Sequence, residues 1–287
     1  MAKTKISKRE LKKFIKMALF EDVQTGDVSS LACISAESRS KAKLLCKADG
    51  ILAGVELAKH IFAFCDPTYT IQIFKKDGAA IKYGDIAFIV ECNTRALLQA
   101  ERLVLNSMQR MSGIATLSMQ FSEAVKGLPV KILDTRKTTP LFRMIEKWAV
   151  RIGGCYNYRD GLYDRFMPKD NHIDACGGIK QAIESIAKYK KENNITLETT
   201  VEVRTLDELR TVLEVGGVER AMLDNMPLEM MAEAVKIVNK KIEVEASGNV
   251  TLERVRAIAE TGVDFISSGA LTHSAKSLDL SLKVIKE

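Results

Sequence analysis

TVEVRTLDELRTVLEVGGVERAMLDNMPLEMMAEAVKIVNKKIEVEASGNV, residues 200–250, carries the decisive rhythm. Short apolar runs at Thr199–Val203, Arg220–Leu223 and Ile242–Glu245 alternate with amphipathic segments at Leu206–Leu213 and Leu228–Asn239. Such alternation predicts βα units, and therefore parallel strands joined by right-handed crossovers. The pattern continues downstream into a helix at Leu252–Glu260 and a strand at Asp264–Ile266. Upstream it includes strands at Val130–Leu133 and Arg165–Met167, with helices at Phe142–Ile152 and Gly178–Glu192. A doubly wound sheet and an incomplete barrel both fit.

Before residue 128 the order of elements is different. Leu11, Phe14, Ile15, Ala18 and Leu19 recur at helical spacing, and Glu21–Ser30 reads as a loop. Ala42, Leu44 and Cys46 recur at a period of two, with Lys41 and Lys43 flanking Ala42, as in a half-buried strand. A helix is expected over Ile51–Phe64, strands over Ile71–Phe74 and Ile86–Val90, and a helix from Thr94 to about Met111. Asp77-Gly78 and Tyr83-Gly84-Asp85 mark turns. Strands and helices mixed without a βα rhythm imply a separate α+β domain.

The bulk composition restricts function. With 43 basic and 37 acidic residues the net charge is only +6, and 46% of residues are hydrophobic. The densest basic run, Lys3, Lys5, Lys8, Arg9, Lys12, Lys13 and Lys16, reads as the solvated face of a first helix rather than an RNA-binding face. Six scattered cysteines form no C-x-x-C pair, and there are three histidines, which argues against a zinc site and for a reducing compartment. No apolar leader or membrane span is recognisable, so a cytoplasmic protein without nucleic-acid or membrane partners is expected.

Chemistry concentrates at the ends of the predicted barrel strands. Val130–Leu133 leads into Asp134-Thr135-Arg136-Lys137, Phe166-Met167-Pro168 into Lys169-Asp170-Asn171-His172, and Arg220–Leu223 into Asp224-Asn225. Glu202 lies near the end of the third strand; Ser247-Gly248-Asn249 and Ser267-Ser268-Gly269 follow the last two. In a βα barrel these positions converge on the C-terminal face, where active sites form. Arg136, Lys137, Arg159 and Lys169 suit carboxylates or pyrophosphate, Arg by its fork and Lys as a point charge. Glu202 and Asp224 suit Mg²⁺, which takes one or two carboxylates plus substrate phosphates. The two glycine-containing turns suit a phosphate.

Blander roles stand beside these. Arg136 and Lys137 can cap a helix C-terminus, and Lys169 can form a Schiff base as in barrel aldolases. His172 can support a neighbour instead of acting as a base, and His273 can donate to a ligand or simply pack. His60, in an apolar helix, reads as structural, and Phe142, Ile145 and Trp148 read as core.

The chain resembles the quinolinate phosphoribosyltransferases. The matching blocks are Glu21-Asp22 with Gly26-Asp27, Ala100-Glu101-Arg102 with Leu105-Asn106 and Gln109-Arg110, and Asp134–Pro140. They continue with Glu146-Lys147, Gly153-Gly154, Asn157, Arg159 and Lys169–Ile173. The last are Val201-Glu202-Val203, Leu223-Asp224-Asn225, Glu245–Gly248 and Gly269–Leu280. The resemblance implies an N-terminal α/β sandwich over residues 1–112, joined by 274–287, and an open-faced, incomplete TIM-like α/β barrel over 113–273. It implies phosphoribosyl transfer from PRPP to quinolinate with decarboxylation, giving nicotinate mononucleotide for NAD synthesis, with Mg²⁺ as cofactor.

It also implies a homodimer, or a hexamer, in which Arg102 of one subunit enters the neighbour's site. Thr135, Arg136, Tyr158, Arg159 and Lys169 would complete the quinolinate pocket. Lys137, Ser247, Gly248, Asn249, Ser268, Gly269 and His273 would take the phosphates of PRPP, while Glu202 and Asp224 would orient Mg²⁺ and the ribose hydroxyls. Lys137, Lys169, Glu202 and Asp224 are the implied catalytic residues. Five positions depart from the family pattern. Tyr158 replaces a usual histidine, and Cys155, Leu141 and Asn249 replace usual glycines. Pro168 stands where an aliphatic residue is usual. A ModD-like transferase with another anionic acceptor is the main alternative. A non-enzymatic paralogue would be marked by loss of Lys169, Glu202 or Asp224, and all three are present.

Overall fold

The computed structural model describes residues 6–285 and divides into two compact units. Lys3 and Lys5 of the basic run, and the ends of the expected sandwich segments 1–112 and 274–287, lie outside the described residues.

The first unit contains residues 6–119, 140–154 and 275–285. It opens with α1 (Lys8–Val23) and α2 (Val28–Cys33). Ser7 and Glu10 form a capping box that satisfies free N–H groups at the start of α1, whose Leu11 and Ile15 are buried. Asp27 caps α2 by accepting from the N–H groups of Ser29 and Ser30, both at 3.1 Å. The expected loop over Glu21–Ser30 is thus shorter, because an acidic cap starts a helix within a polar stretch.

Next come β1 (Arg39–Cys46), β2 (Gly50–Ile51), α3 (Val55–Cys65), β3 (Thr70–Ile73), β4 (Ala80–Ile81), β5 (Ile86–Asn93) and α4 (Thr94–Ala124). Of α4, the residues up to Met119 belong to this unit. The helix runs well past the expected end at Met111. Gly113 interrupts the apolar pattern there because a Cβ would lie 1.9 Å from the Lys276 carbonyl oxygen. The glycine thus serves close packing rather than termination. α5 (Arg143–Ile152) and β11 (Leu280–Val284) complete the unit. The main sheet has the antiparallel order β11-β1-β5-β3. Gln109 and Arg110 of α4 hold the C-terminal segment by donating to the carbonyls of Leu280 and Ala275, at 2.9 and 2.7 Å. Arg110 also pairs with the fully buried Glu146 of α5 at 2.8 Å.

Residues 140–154, expected inside the barrel, belong to this first unit. In α5 only Ile145 of the three expected core residues is buried; Phe142 and Trp148 are half-exposed, while Glu146 and Lys147 are buried. His60 is exposed on α3. Leu141 has φ +61 and is 88% exposed, a left-handed conformation that explains a usual glycine at this position.

The second unit, Gln120–Thr139 and Cys155–Ser274, carries the parallel sheet. Its strands are β6 (Lys131–Leu133), β7 (Thr200–Val203), β8 (Arg220–Asp224), β9 (Glu243–Ser247) and β10 (Phe265–Ser267). Its helices are α6 (Asp170–Cys176), α7 (Ile179–Asn193), α8 (Leu206–Val215), α9 (Leu228–Val238), α10 (Leu252–Glu260) and α11 (Ala270–His273). The strand order is β6-β10-β9-β8-β7. A single parallel bridge places Tyr156 beside β6, and another places Phe166 beside Thr199 at the start of β7. Among the described residues no pairing joins these two outer segments, which makes the sheet an open-faced, incomplete α/β barrel.

Candidate active site

A cavity of about 690 Å³ opens over the C-terminal strand ends of the barrel unit. Thr135, Arg136, Lys137, Tyr158, Arg159, Lys169, Asp224, Ser247, Gly248, Asn249, Ser268, Gly269 and His273 all line it. Two expected residues do not. Arg102 is an exposed residue of α4 in the other unit. Glu202 lies below the lining, 5% exposed.

Buried Asp134 organises the loops beside β6. Its Oδ1 accepts from the N–H of Tyr158 at 2.9 Å and its Oδ2 from Asn157 Nδ2 at 2.5 Å. The residues between Asp134 and Arg159 are thereby fixed relative to the strand end. Cys155 is buried beside Asp134; burial and that neighbouring charge push its thiol up to about 12, so it is an inert packing group.

Among the described residues, Arg159 has a buried donor with nothing to bond. Its Nε lies 3.8 Å from Asp164 Oδ1, too far for a hydrogen bond, and has no hydrogen-bond partner among the described residues. Burial, followed by repulsion from Arg136, lowers its pKa. An incoming carboxylate answers both effects, because it supplies the missing acceptor and neutralises the crowded cations.

Lys169 precedes α6, and its Nζ donates to Glu202 Oε2 at 2.5 Å. Oε1 of the same carboxylate accepts from the N–H of Asp170 at 3.4 Å. Glu202 is therefore disposed to position Lys169, which differs from the expected role as a metal ligand. His172 caps α6 by accepting from the Lys169 N–H at 3.3 Å, in keeping with a supporting role.

The remaining wall is a polar rim. Asn225 donates to Asp224 and accepts from Asn249, both at 2.9 Å. Asn225 and Asn249 have φ +53 and +49, a region asparagine tolerates, and this accounts for Asn249 where glycine is usual. The Ser268 hydroxyl donates to the Val250 carbonyl at 3.1 Å and ties two loops of the rim together. Lys137 crosses Gly269 so closely that a Cβ there would lie 2.7 Å from its Cδ, and the Lys137 carbonyl accepts from Thr272 at 2.7 Å.

Ser267, read as a strand-end residue, lines the cavity as well; Glu245, Met167 and Met222 also line it and were not among the expected site residues. Their signal was alternation: Glu245 and Ser247 lie two residues apart on β9, as do Met222 and Asp224 on β8. As for metals, no group of three or more His, Cys, Asp or Glu side chains is assembled among the described residues. Asp224 is a carboxylate in the cavity and fits Mg²⁺ held largely by substrate oxygens. Glu202, already bonded to Lys169, fits that role less well.

A cation-rich cavity with glycine turns, on an incomplete parallel barrel, is an anion-binding site at the C-terminal strand ends. Residues 27–112 match the model for the quinolinate phosphoribosyl transferase N-terminal domain, and residues 114–283 match that for its C-terminal domain. The chain belongs to the quinolinate phosphoribosyltransferase family.

It is 48% identical to the chloroplastic nicotinate-nucleotide pyrophosphorylase [carboxylating] of Arabidopsis thaliana, over 97% of this chain and 84% of that one. To the mitochondrial quinolinate phosphoribosyltransferase [decarboxylating] 2b of Nicotiana tabacum it is 46% identical, over 97% of this chain and 83% of that one. The crystal structure of NadC from Streptococcus pyogenes superimposes with a TM-score of 0.90 at 36% identity, covering 99% of this chain and all of that one. Among the described residues no helix is long and apolar enough to cross a membrane.

Proposed function

We infer that the chain transfers the phosphoribosyl group of PRPP to the pyridine nitrogen of quinolinate and releases the 2-carboxylate as CO₂, forming nicotinate mononucleotide and pyrophosphate. The observation that carries this reading is the buried, unbonded Nε of Arg159, in a cavity that also holds Arg136, Lys137, Lys169 and the glycine turns.

The bond between the anomeric carbon and pyrophosphate breaks, and the leaving group departs with the electron pair. Lys137 meets that growing negative charge, and a fixed cation in a partly enclosed site stabilises it without reorganising. Arg136, Arg159 and Lys169 hold the acceptor carboxylates so that the ring nitrogen faces the anomeric carbon, and this positioning replaces a diffusive encounter. The nitrogen–carbon bond forms and leaves a pyridinium. The carbon–carbon bond to the 2-carboxylate then breaks, its electrons are stabilised beside the cationic nitrogen, and the ring carbon takes a proton from water. Ser247, Gly248, Asn249 and Gly269 receive the 5′-phosphate, and His273 stands at the same rim. Bound Mg²⁺ would add charge stabilisation on pyrophosphate, with Asp224 as its protein ligand. Glu202 acts through Lys169.

Arg102 is exposed on α4 and has no salt bridge among the described residues, which supports a homodimer, alone or within a hexamer, whose sites borrow Arg102 from the second copy. Six free cysteines support a reducing location such as the cytoplasm, which fractionation would test. Purified protein given quinolinate, PRPP and Mg²⁺ should release CO₂ and form nicotinate mononucleotide. Product from nicotinate but none from quinolinate would refute the reading.

A further inference from the structure

The floor of the cavity holds charge that the reaction outlined above does not use. Glu245 is fully buried yet lines the cavity, and its Oε2 accepts from Arg220 Nη1 at 2.9 Å. Arg220, itself 2% exposed, also donates to Glu243 at 2.6 and 2.9 Å. Its guanidinium carbon lies 3.8 Å from the ring centre of Phe265 and 4.7 Å from that of Tyr158. A second guanidinium, of Arg165, lies 5.2 Å from the Tyr158 ring centre. Planar cations at these distances are attracted to aromatic faces.

Tyr158 is therefore held along its whole length. Its backbone N–H is bound by the buried carboxylate of Asp134. Its ring lies within cation–π distance of Arg220 and Arg165. Its hydroxyl lies 2.7 Å from the hydroxyl of Thr200, which is fully buried and also accepts from Arg165 at 3.2 Å. Tyr158 lines the cavity, and with its phenol oxygen engaged by Thr200 the ring is the part of its side chain available to a ligand.

We propose that Tyr158 determines acceptor specificity as an uncharged aromatic wall with its hydroxyl turned into the barrel, and that the buried Arg220–Glu245 pair positions it. This rests on the phosphoribosyl-transfer reading. The acceptor that fits is a planar aromatic acid, whose ring packs on Tyr158 while its carboxylates reach Arg159 and Arg136. Burial, with Glu245 next, pushes the phenol up to about 12, so the wall stays neutral at working pH. Glu245 and Arg220 act through Tyr158 and are positioning residues.

Calorimetric titration of quinolinate into the full-length protein tests this. Tyr158→Phe, which keeps the ring, should weaken binding about two- to threefold, and Tyr158→Leu, which removes it, about tenfold or more. Glu245→Gln should weaken quinolinate binding about fivefold in the wild-type background but less than about twofold beside Tyr158→Leu, because its effect passes through the ring. PRPP titration of each variant reports general damage to the fold. If Glu245→Gln fails to fold, Arg220→Met/Glu245→Gln removes the buried pair without stranding a charge and is measured in its place. Equal losses for Tyr158→Phe and Tyr158→Leu would overturn the aromatic wall. Equal losses for Glu245→Gln in both backgrounds would overturn the positioning. Wild-type protein that binds no quinolinate would refute the phosphoribosyl-transfer reading itself, and this proposal with it.

Discussion

Two glycines of the phosphate rim should respond differently to the same added methyl group. Gly248 has φ +90, and a Cβ there would stand 2.3 Å from Asn225 Oδ1 and 2.4 Å from its Cγ. Left-handed backbone costs an L-residue about 1–2 kcal/mol. The Asn225 side chain must also leave, giving up its bonds to Asp224 and Asn249. Both are exposed and water replaces much of each, so together they contribute about 1 kcal/mol. Gly248→Ala should therefore lose about 2–3 kcal/mol of stability, and it also disturbs the carboxylate of Asp224.

Gly269 differs on both counts. Its φ of −69 suits any residue, and the methyl group meets Lys137 Cδ at 2.7 Å, part of a side chain that can swing away. Gly269→Ala should cost less than about 1 kcal/mol while displacing the Lys137 ammonium and raising the KM for PRPP about tenfold. Urea unfolding and steady-state kinetics on both variants separate the effects. Equal destabilisation by the two substitutions, or an unchanged KM for PRPP in both, would refute the geometric reasoning.

Mixing two inactive variants tests the shared site: randomly reassociated Arg102→Ala and Lys169→Ala subunits should recover about a quarter of wild-type activity, since half the dimers are hybrid and each has one intact site. Recovery no greater than either variant alone would mean that Arg102 serves its own subunit. A second test uses alkali. Because folding raises the Tyr158 pKa from 10.0 to about 12, its contribution to stability is complete below 10 and is lost as pH rises towards 12. Phenolate absorbance should show one tyrosine ionising last, a step absent from Tyr158→Phe; complete ionisation by about pH 11 in folded protein would contradict it.

The parallel strands of the second unit are legible because each βα unit repeats one pattern, whereas the choice between a doubly wound sheet and an incomplete barrel is not encoded in that rhythm. The two-residue strands β2 and β4 are not legible, since they are too short to show a period. β11 alternates Leu280, Ser281, Leu282, yet its partner β1 lies near the other end of the chain, beyond any local signal. Residues 140–154 follow a barrel strand in sequence but pack with the first unit, a tertiary choice that helical periodicity does not encode. The cavity lining was read well where a side chain sits at a strand end. It is less direct where a partner already engages the group: Glu202 bonds Lys169, the Ser268 hydroxyl bonds Val250, and the Tyr158 hydroxyl bonds Thr200. Charge and spacing mark a residue as able to bind, whereas only the fold decides what has already bound it.

The pairing of β1 with β11 also bears on how the molecule is made. The first unit's sheet takes its outer strand from β11, which follows every barrel strand in the chain. A growing chain on the ribosome therefore carries β1 with one edge open until β11 emerges, after all the barrel strands. That open edge is a site for mispairing with other chains during synthesis. A stop codon before Leu280 would make the exposure permanent, and the loss of β11 would show itself as aggregation rather than as a simple loss of turnover.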